Sequence, residues 1–282
     1  MNAHAPPESN GSALAAAAGT LMDRIWQTVR RKRGRSAISA GNHGHLIRQL
    51  RHSGFAVLPN HYSADQCARM VGEIDRIIET QPEAVRRDAT DADHRVFGAE
   101  HASSILAEFH NDPTLLSIGE TYRRDKLRNF STLAGRLRAK PGNLGSGQGW
   151  HRDAFHFQFK AMVYLTDVTS RNGPFQFLSG SHRALQVVRD TLTGHLDGAP
   201  RSRITEGQAQ RLIAANPTRL QTFTANRGTV ILFDSSGIHR GAPIESSERY
   251  ALTNYYFEPD QITAQRFDEF APFARSVPHG SI

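Results

Sequence analysis

Short apolar runs, evenly spaced and separated by turn residues, fill the second half of this chain, and they narrow its fold more than any other feature. Strand-length runs occupy residues 133–139, 162–166, 175–178, 220–224, 229–233 and 249–257. Between them stand turn signals such as Pro141-Gly142-Asn143, Arg171-Asn172-Gly173-Pro174 and Asn226-Arg227-Gly228. Such strands joined by Gly and Asn turns are the pattern of a β-sandwich or barrel. Helix-period patterns come first. Leu46, Ile47 and Leu50 lead to Gly54 and a strand over 55–58. Ser63 with Gln66 three residues on signals a capping box, and Cys67, Met70, Val71, Ile74, Ile77 and Ile78 follow at helical spacing. Residues 106–109 and 115–122 also read as helical, within an otherwise polar stretch over 80–128. The expectation is a mainly β domain over 41–282 with flanking helices and a helical insertion at about 183–218.

Residues 1–40 carry six Lys and Arg against two Asp and Glu, so most of the net charge of +7 sits there. The reading is a disordered or weakly structured basic segment with a short helix over 21–29, not a basic groove across the fold, and no nucleic-acid partner is expected. No run of 18 apolar residues exists, so no membrane span is expected. The single Cys67 excludes an internal disulfide and a multi-Cys zinc site, fits a reducing compartment, and supports a cytoplasmic location. Because Cys67 lies on an apolar stripe, it reads as an inert buried thiol.

Chemistry concentrates at Gly147-Gln148-Gly149-Trp150-His151-Arg152-Asp153. On an extended strand the His151 and Asp153 side chains leave the same face. An imidazole and a carboxylate supply two of the three ligands of the two-His-one-carboxylate arrangement of non-haem Fe(II) oxygenases. A third ligand has to be distant, and His239, 88 residues on, offers one. His-X-Asp alone recurs by chance; the set gains weight from a jelly roll, which brings such remote segments together. Ten residues further, Arg249 opens an alternating strand on which Arg249, Ala251, Thr253 and Tyr255 share a face. Its guanidinium suits a carboxylate.

In order, these pieces resemble the phytanoyl-CoA dioxygenase family of Fe(II)/2-oxoglutarate-dependent oxygenases from about residue 50 to 257. The resemblance is carried by Ser53-Gly54-Phe55-Ala56-Val57-Leu58-Pro59-Asn60, Gln148-Gly149-Trp150-His151-Arg152-Asp153, Asn172-Gly173-Pro174 with Gly180-Ser181-His182, Gly228 to Asp234, His239 and Arg249. It implies a double-stranded β-helix (jelly roll, cupin-like), Fe(II) held by His151, Asp153 and His239, and 2-oxoglutarate anchored by Arg249. It further implies hydroxylation, or a related oxidation, of an unactivated C–H in a small organic substrate, with dioxygen consumed and succinate and CO2 released. Tyr164 and Gln148 are added as candidate 2-oxoglutarate contacts, and Lys160 as a contact to 2-oxoglutarate or substrate. Intact Asp153 argues against halogenating relatives, which replace it with a small residue. Two departures stand out: Ser179 where the family usually has Pro, and Gly241 where some members place a Ser that helps hold 2-oxoglutarate.

Other residues have plainer readings. Trp150 and His182 read as packing residues, and Arg136 and Arg138 as an exposed strand face or an anion contact. Phe155, Phe157 and Phe159 alternate with His156, Gln158 and Lys160, which predicts a core face and a pocket or solvent face. The rival functions are a non-catalytic jelly-roll binding protein and a cupin-type metal-dependent isomerase or hydrolase, neither of which needs Arg249.

Overall fold

The computed structural model describes residues 22, 43–193, 195–196, 202–264 and 266–267. The expected basic segment over 1–40, with its 21–29 helix, lies outside them apart from Met22. Helix α1 (Gly44–Ser53) runs into strand β1 (Phe55–Leu58), and helix α2 (Ala64–Thr80) follows. The Ser63 capping box forms: Gln66 N–H donates to Ser63 Oγ at 3.2 Å and Ser63 N–H to Gln66 Oε1 at 2.9 Å. Such a cap contributes about 1 kcal/mol. Next come β2 (Arg86–Arg87), β3 (Asp93–Phe97), and the helices α3 (Ala99–Ala102), α4 (Ser104–His110) and α5 (Pro113–Arg123). Strands β4 (Arg128–Arg138), β5 (Phe159–Tyr164) and β6 (Phe175–Leu178) precede helices α6 (Ala184–Leu192) and α7 (Glu206–Ala215). Strands β7 (Leu220–Phe223), β8 (Val230–Asp234), β9 (His239–Gly241) and β10 (Glu248–Phe257) complete the fold.

Two antiparallel sheets result, ordered β1-β8-β5-β10-β4-β3-β2 and β7-β6-β9. This is the jelly-roll type of architecture, with helices covering one face of the larger sheet. Strand alternation sends Ala161, Val163, Leu232 and Leu252 into the helix-side core with Leu50, Met70 and Ile74. The intervening Met162, Tyr164, Ile231 and Phe233 point the other way and meet Phe175 and Phe177 of the smaller sheet. Both faces of β5 and β8 are therefore apolar, which explains their nearly continuous hydrophobic sequence.

Three local expectations need correction. The polar stretch 80–128 contains β2 and β3 as well as helices. Strand β3 is hidden in the sequence because its buried residues include Asp93, whose carboxylate meets the Arg95 guanidinium at 2.5 Å; an ion pair replaces the apolar alternation. The Phe155–Lys160 alternation does not make one strand, since only Phe159 and Lys160 belong to β5 and 154–158 is irregular. His151 is likewise a single bridge residue, not part of a strand.

Candidate active site

His239 opens β9, and His151 pairs with it through an isolated bridge, each backbone N–H donating to the other's carbonyl at 2.9 Å. Asp153 is tied to the end of the larger sheet, its N–H donating to the Ser235 carbonyl at 3.0 Å. Between them the buried Arg152 donates through Nη1 to the carbonyls of Ser181 at 2.7 Å and Ser236 at 2.6 Å. This clamp fixes the segment without regular strand geometry. Asp153 Oδ1 lies 3.6 Å from His151 Nε2. One ligand atom from each of His151, Asp153 and His239 falls within 4.8 Å of the others. Among the described residues no other group of three His, Cys, Asp or Glu does this.

The protonation of the three side chains leaves lone pairs available at the cluster. His151 Nδ1 lies 2.9 Å from the Gly149 carbonyl and His239 Nδ1 2.9 Å from the Gly237 carbonyl. A carbonyl only accepts, so Nδ1 carries the proton and Nε2 keeps its lone pair. Burial lowers the pKa of both rings, and His239 is pushed down to about 3, with the neighbouring His151 adding to the effect. Burial raises Asp153, but the Lys160 ammonium and the two imidazoles outweigh it and hold the carboxyl below its ordinary value. Lys160 Nζ is 2.5 Å from Asp153 Oδ2 and 3.8 Å from the Tyr255 ring centroid. Gly147, at φ +89°, leaves room for the His151 ring: a Cβ there would lie 2.4 Å from His151 Cε1.

The three residues line a cavity of about 190 Å³ between the sheets, walled by Met162, Phe175 and Phe233. Arg249 is buried at its inner end, beside Asp93, Arg95, Leu137 and Ser146. The Arg249 Nη1 donates to the Gly173 carbonyl, while its Nε has no hydrogen-bond partner among the described residues. Thr253 and Tyr255 line the same cavity, as the alternation along β10 predicts. At Gly241, a Cβ would lie 2.8 Å from Ser146 Cβ, so the Ser146 loop fills the space a side chain would take there. Ser146 Oγ accepts from Arg95 Nη2 at 3.2 Å.

Two further candidate contacts, Tyr164 and Gln148, are not among the residues that line this cavity. Tyr164 is buried between the sheets, its hydroxyl donating to the Phe223 carbonyl at 3.1 Å and accepting from Phe175 N–H at 2.8 Å. Gln148 is exposed, with Nε2 3.5 Å from Asp88 Oδ2, and only its neighbour Gly147 lines the cavity. Arg136 pairs with Asp75 and Glu248, and Arg138 with Asp91, so both serve the outer surface. Trp150 is buried beneath the Arg240 guanidinium at 4.4 Å, and His182 is buried with Nε2 3.3 Å from the Arg51 carbonyl. Cys67 is buried as expected. Sequence reasoning missed Arg95, whose only signal is the Asp93-X-Arg95 spacing on β3, and Arg203, which lies in the insertion and lines the cavity mouth.

The chain belongs to the phytanoyl-CoA dioxygenase (PhyH) family, matching it over residues 50–251. It is thereby an Fe(II)- and 2-oxoglutarate-dependent dioxygenase. It is 24% identical over 212 residues to the ectoine dioxygenase of Bordetella bronchiseptica, covering 68% of each chain. It is 24% identical over 217 residues to the L-proline trans-4-hydroxylase of Streptomyces griseoviridis, covering 70% of this chain and 79% of that one. The structure of EctD from S. alaskensis with bound Fe superposes with a TM-score of 0.59 at 19% identity over 76% of both chains, which confirms the fold. No helix among the described residues is long and apolar enough to cross a membrane.

Proposed function

We propose that His151, Asp153 and His239 hold Fe(II), that Arg249 takes the far carboxylate of 2-oxoglutarate, and that the enzyme hydroxylates an unactivated C–H bond of a small organic substrate. The observation that carries this reading is the shared cavity: two neutral imidazoles with free Nε2 atoms, a carboxylate, and a buried guanidinium with an unused Nε. Two imidazoles and one carboxylate are the donor set of oxygen-activating ferrous sites, and they leave coordination positions open. Arg249 has no carboxylate within ion-pair distance among the described residues. Burying a lone guanidinium costs several kcal/mol, which a carboxylate ligand offsets. A binding protein or a hydrolase has no use for that arrangement.

Bound together there, Fe(II), 2-oxoglutarate and dioxygen supply the oxidant that places oxygen on a C–H bond as succinate and CO2 leave. The chain's own residues orient and exclude. Gly149 and Gly237 carbonyls fix the tautomer of each imidazole. Lys160 occupies Asp153 Oδ2 and leaves Oδ1 turned toward His151 Nε2. Met162, Phe175 and Phe233 keep water from that side of the cavity. Anaerobic titration of the protein with Fe(II) and then 2-oxoglutarate, followed by visible absorption, tests the reading. A band that needs both additions and is lost in His239→Ala is expected. A band that forms equally well in that variant overturns it.

A further inference from the structure

The cavity mouth carries a cation that neither Fe(II) nor 2-oxoglutarate employs. Arg203 sits where the helical insertion returns to the metal-site segment, and its backbone is locked to that segment on both sides. Arg152 N–H donates to the Ser202 carbonyl at 2.7 Å, Ile204 N–H donates to the Trp150 carbonyl at 3.1 Å, and Arg203 itself bridges to His151. The side chain is exposed, and its Nη1 donates to the carbonyls of Gly147 and Gln148. Among the described residues its Nε and Nη2 have no partner, and no carboxylate lies within ion-pair distance.

The charge balance of the cavity points the same way. Arg95 is neutralised by Asp93, and Lys160 by Asp153. Arg249 and Arg203 are left over. Ferrous ion and dianionic 2-oxoglutarate cancel one another, so loading the site leaves that positive excess in place, with Arg249 engaged at the inner end. The remaining cation faces the opening through which a substrate enters, with planar donors that match a carboxylate or phosphate.

We propose that the substrate is an anion, bearing a carboxylate or a phosphate monoester, whose charged group docks on Arg203 at the mouth while the carbon to be oxidised reaches inward. This rests on the oxygenase reading above. The test uses the full chain loaded anaerobically with Fe(II) and 2-oxoglutarate, and follows the change in its visible band. Matched pairs are added: small carboxylic acids with their primary amides, phosphate monoesters with their alcohols, and amines of equal size. Anionic members of at least one series are expected to bind about 10- to 100-fold more tightly than their neutral partners, the range of a charge-assisted contact. Arg203→Gln removes the charge while keeping a polar, uncharged side chain, and is expected to lose that preference. Arg203→Lys retains part of it. The two anion series separate a carboxylate from a phosphate substrate. If no anion binds more tightly than its neutral partner, or if Arg203→Gln keeps the full preference, Arg203 is a loop clamp and the proposal is overturned. If wild-type protein gives no band with Fe(II) and 2-oxoglutarate, the oxygenase reading itself fails and takes this one with it.

Discussion

The two faces of the larger sheet are built from the same strands and do opposite work. On the helix-backed face, Ala161, Val163, Leu232 and Leu252 are buried against Leu50, Met70 and Ile74, and apolar packing governs their energetics. On the other face, one residue away along β5 and β10, stand Lys160, Arg249, Thr253 and Tyr255 around a cavity. The first face gains stability from each side chain it buries, about 1.5–3 kcal/mol for a Leu or Ile. The second holds charges whose burial opposes folding and which become useful only with a ligand present. Stability and chemistry are thus separated by strand alternation and not by distance. Substitutions one residue apart are expected to have unrelated consequences.

The largest effect belongs to His239→Ala, across the cavity on the smaller sheet. Losing an outer partner of a metal ligand costs roughly 10- to 100-fold in affinity, and losing a ligand is expected to exceed that. Iron titration checks it, with succinate formation falling in parallel and the metal-free fold retained by circular dichroism. Retained iron affinity would remove His239 from the ligand set. On the helix face, Leu252→Ala removes a fully buried side chain and is expected to destabilise by about 2–5 kcal/mol. Chemical denaturation measures that loss, while 2-oxoglutarate affinity in the folded protein stays close to wild type. A matching loss of affinity would show that the two faces are coupled.

Arg249 is where the contrast is sharpest. Arg249→Met removes a buried charge that has no carboxylate within ion-pair distance among the described residues, but it also removes the donor to the Gly173 carbonyl. The variant is therefore expected to keep most of its stability and to be unable to bind 2-oxoglutarate. Arg249→Lys keeps a point charge without the fork and is expected to weaken 2-oxoglutarate by about 10- to 100-fold while sparing iron. Calorimetric titration of each ligand separates the two. Equal loss of iron and 2-oxoglutarate in Arg249→Lys would contradict the assignment.

How much of this is legible in the sequence follows the same division. Helix-face elements announce themselves by period, because apolar burial repeats at fixed spacing. Residues 151, 153, 239 and 249 are legible as chemically unusual side chains near strand ends, and the structure brings all four to one cavity. Strand β3 and Arg95 are not, because a buried ion pair leaves no hydrophobic alternation to find. The structural part that Tyr164 plays is hidden for a related reason. Its hydroxyl serves the Phe175 and Phe223 backbones, and the Phe223 partner lies 59 residues away, so nothing in its neighbourhood marks it as structural. Arg203 sits in an insertion whose return path depends on tertiary pairing with His151.

The smallest predicted effect lies on the helix face, where a polar group has no ligand to justify it. The Glu100 side chain is buried, accepts from the Thr132 N–H at 2.9 Å, and burial pushes its pKa up to about 7. A carboxyl whose folded pKa exceeds its unfolded value contributes stability fully below the unfolded value, near 4.5, and loses it as pH rises through 7. His110, with Nδ1 3.7 Å from Glu100, has the opposite sign: burial pushes it down to about 4, so its stability contribution falls as pH drops below 6.5. Between about pH 4.5 and 6.5 the two slopes oppose each other. Glu100→Gln keeps the acceptor for Thr132 and removes the acid. It is expected to match wild type near pH 5 and to be more stable by about 1–3 kcal/mol at pH 8, the order expected for a shift of this size. Denaturation at both pH values with 2-oxoglutarate affinity measured alongside decides it. A gain at pH 8 without any change in affinity shows that the helix face can be re-engineered independently of the cavity, whereas a change in both shows that the polar network beneath β4 and β10 reaches through the sheet to the site.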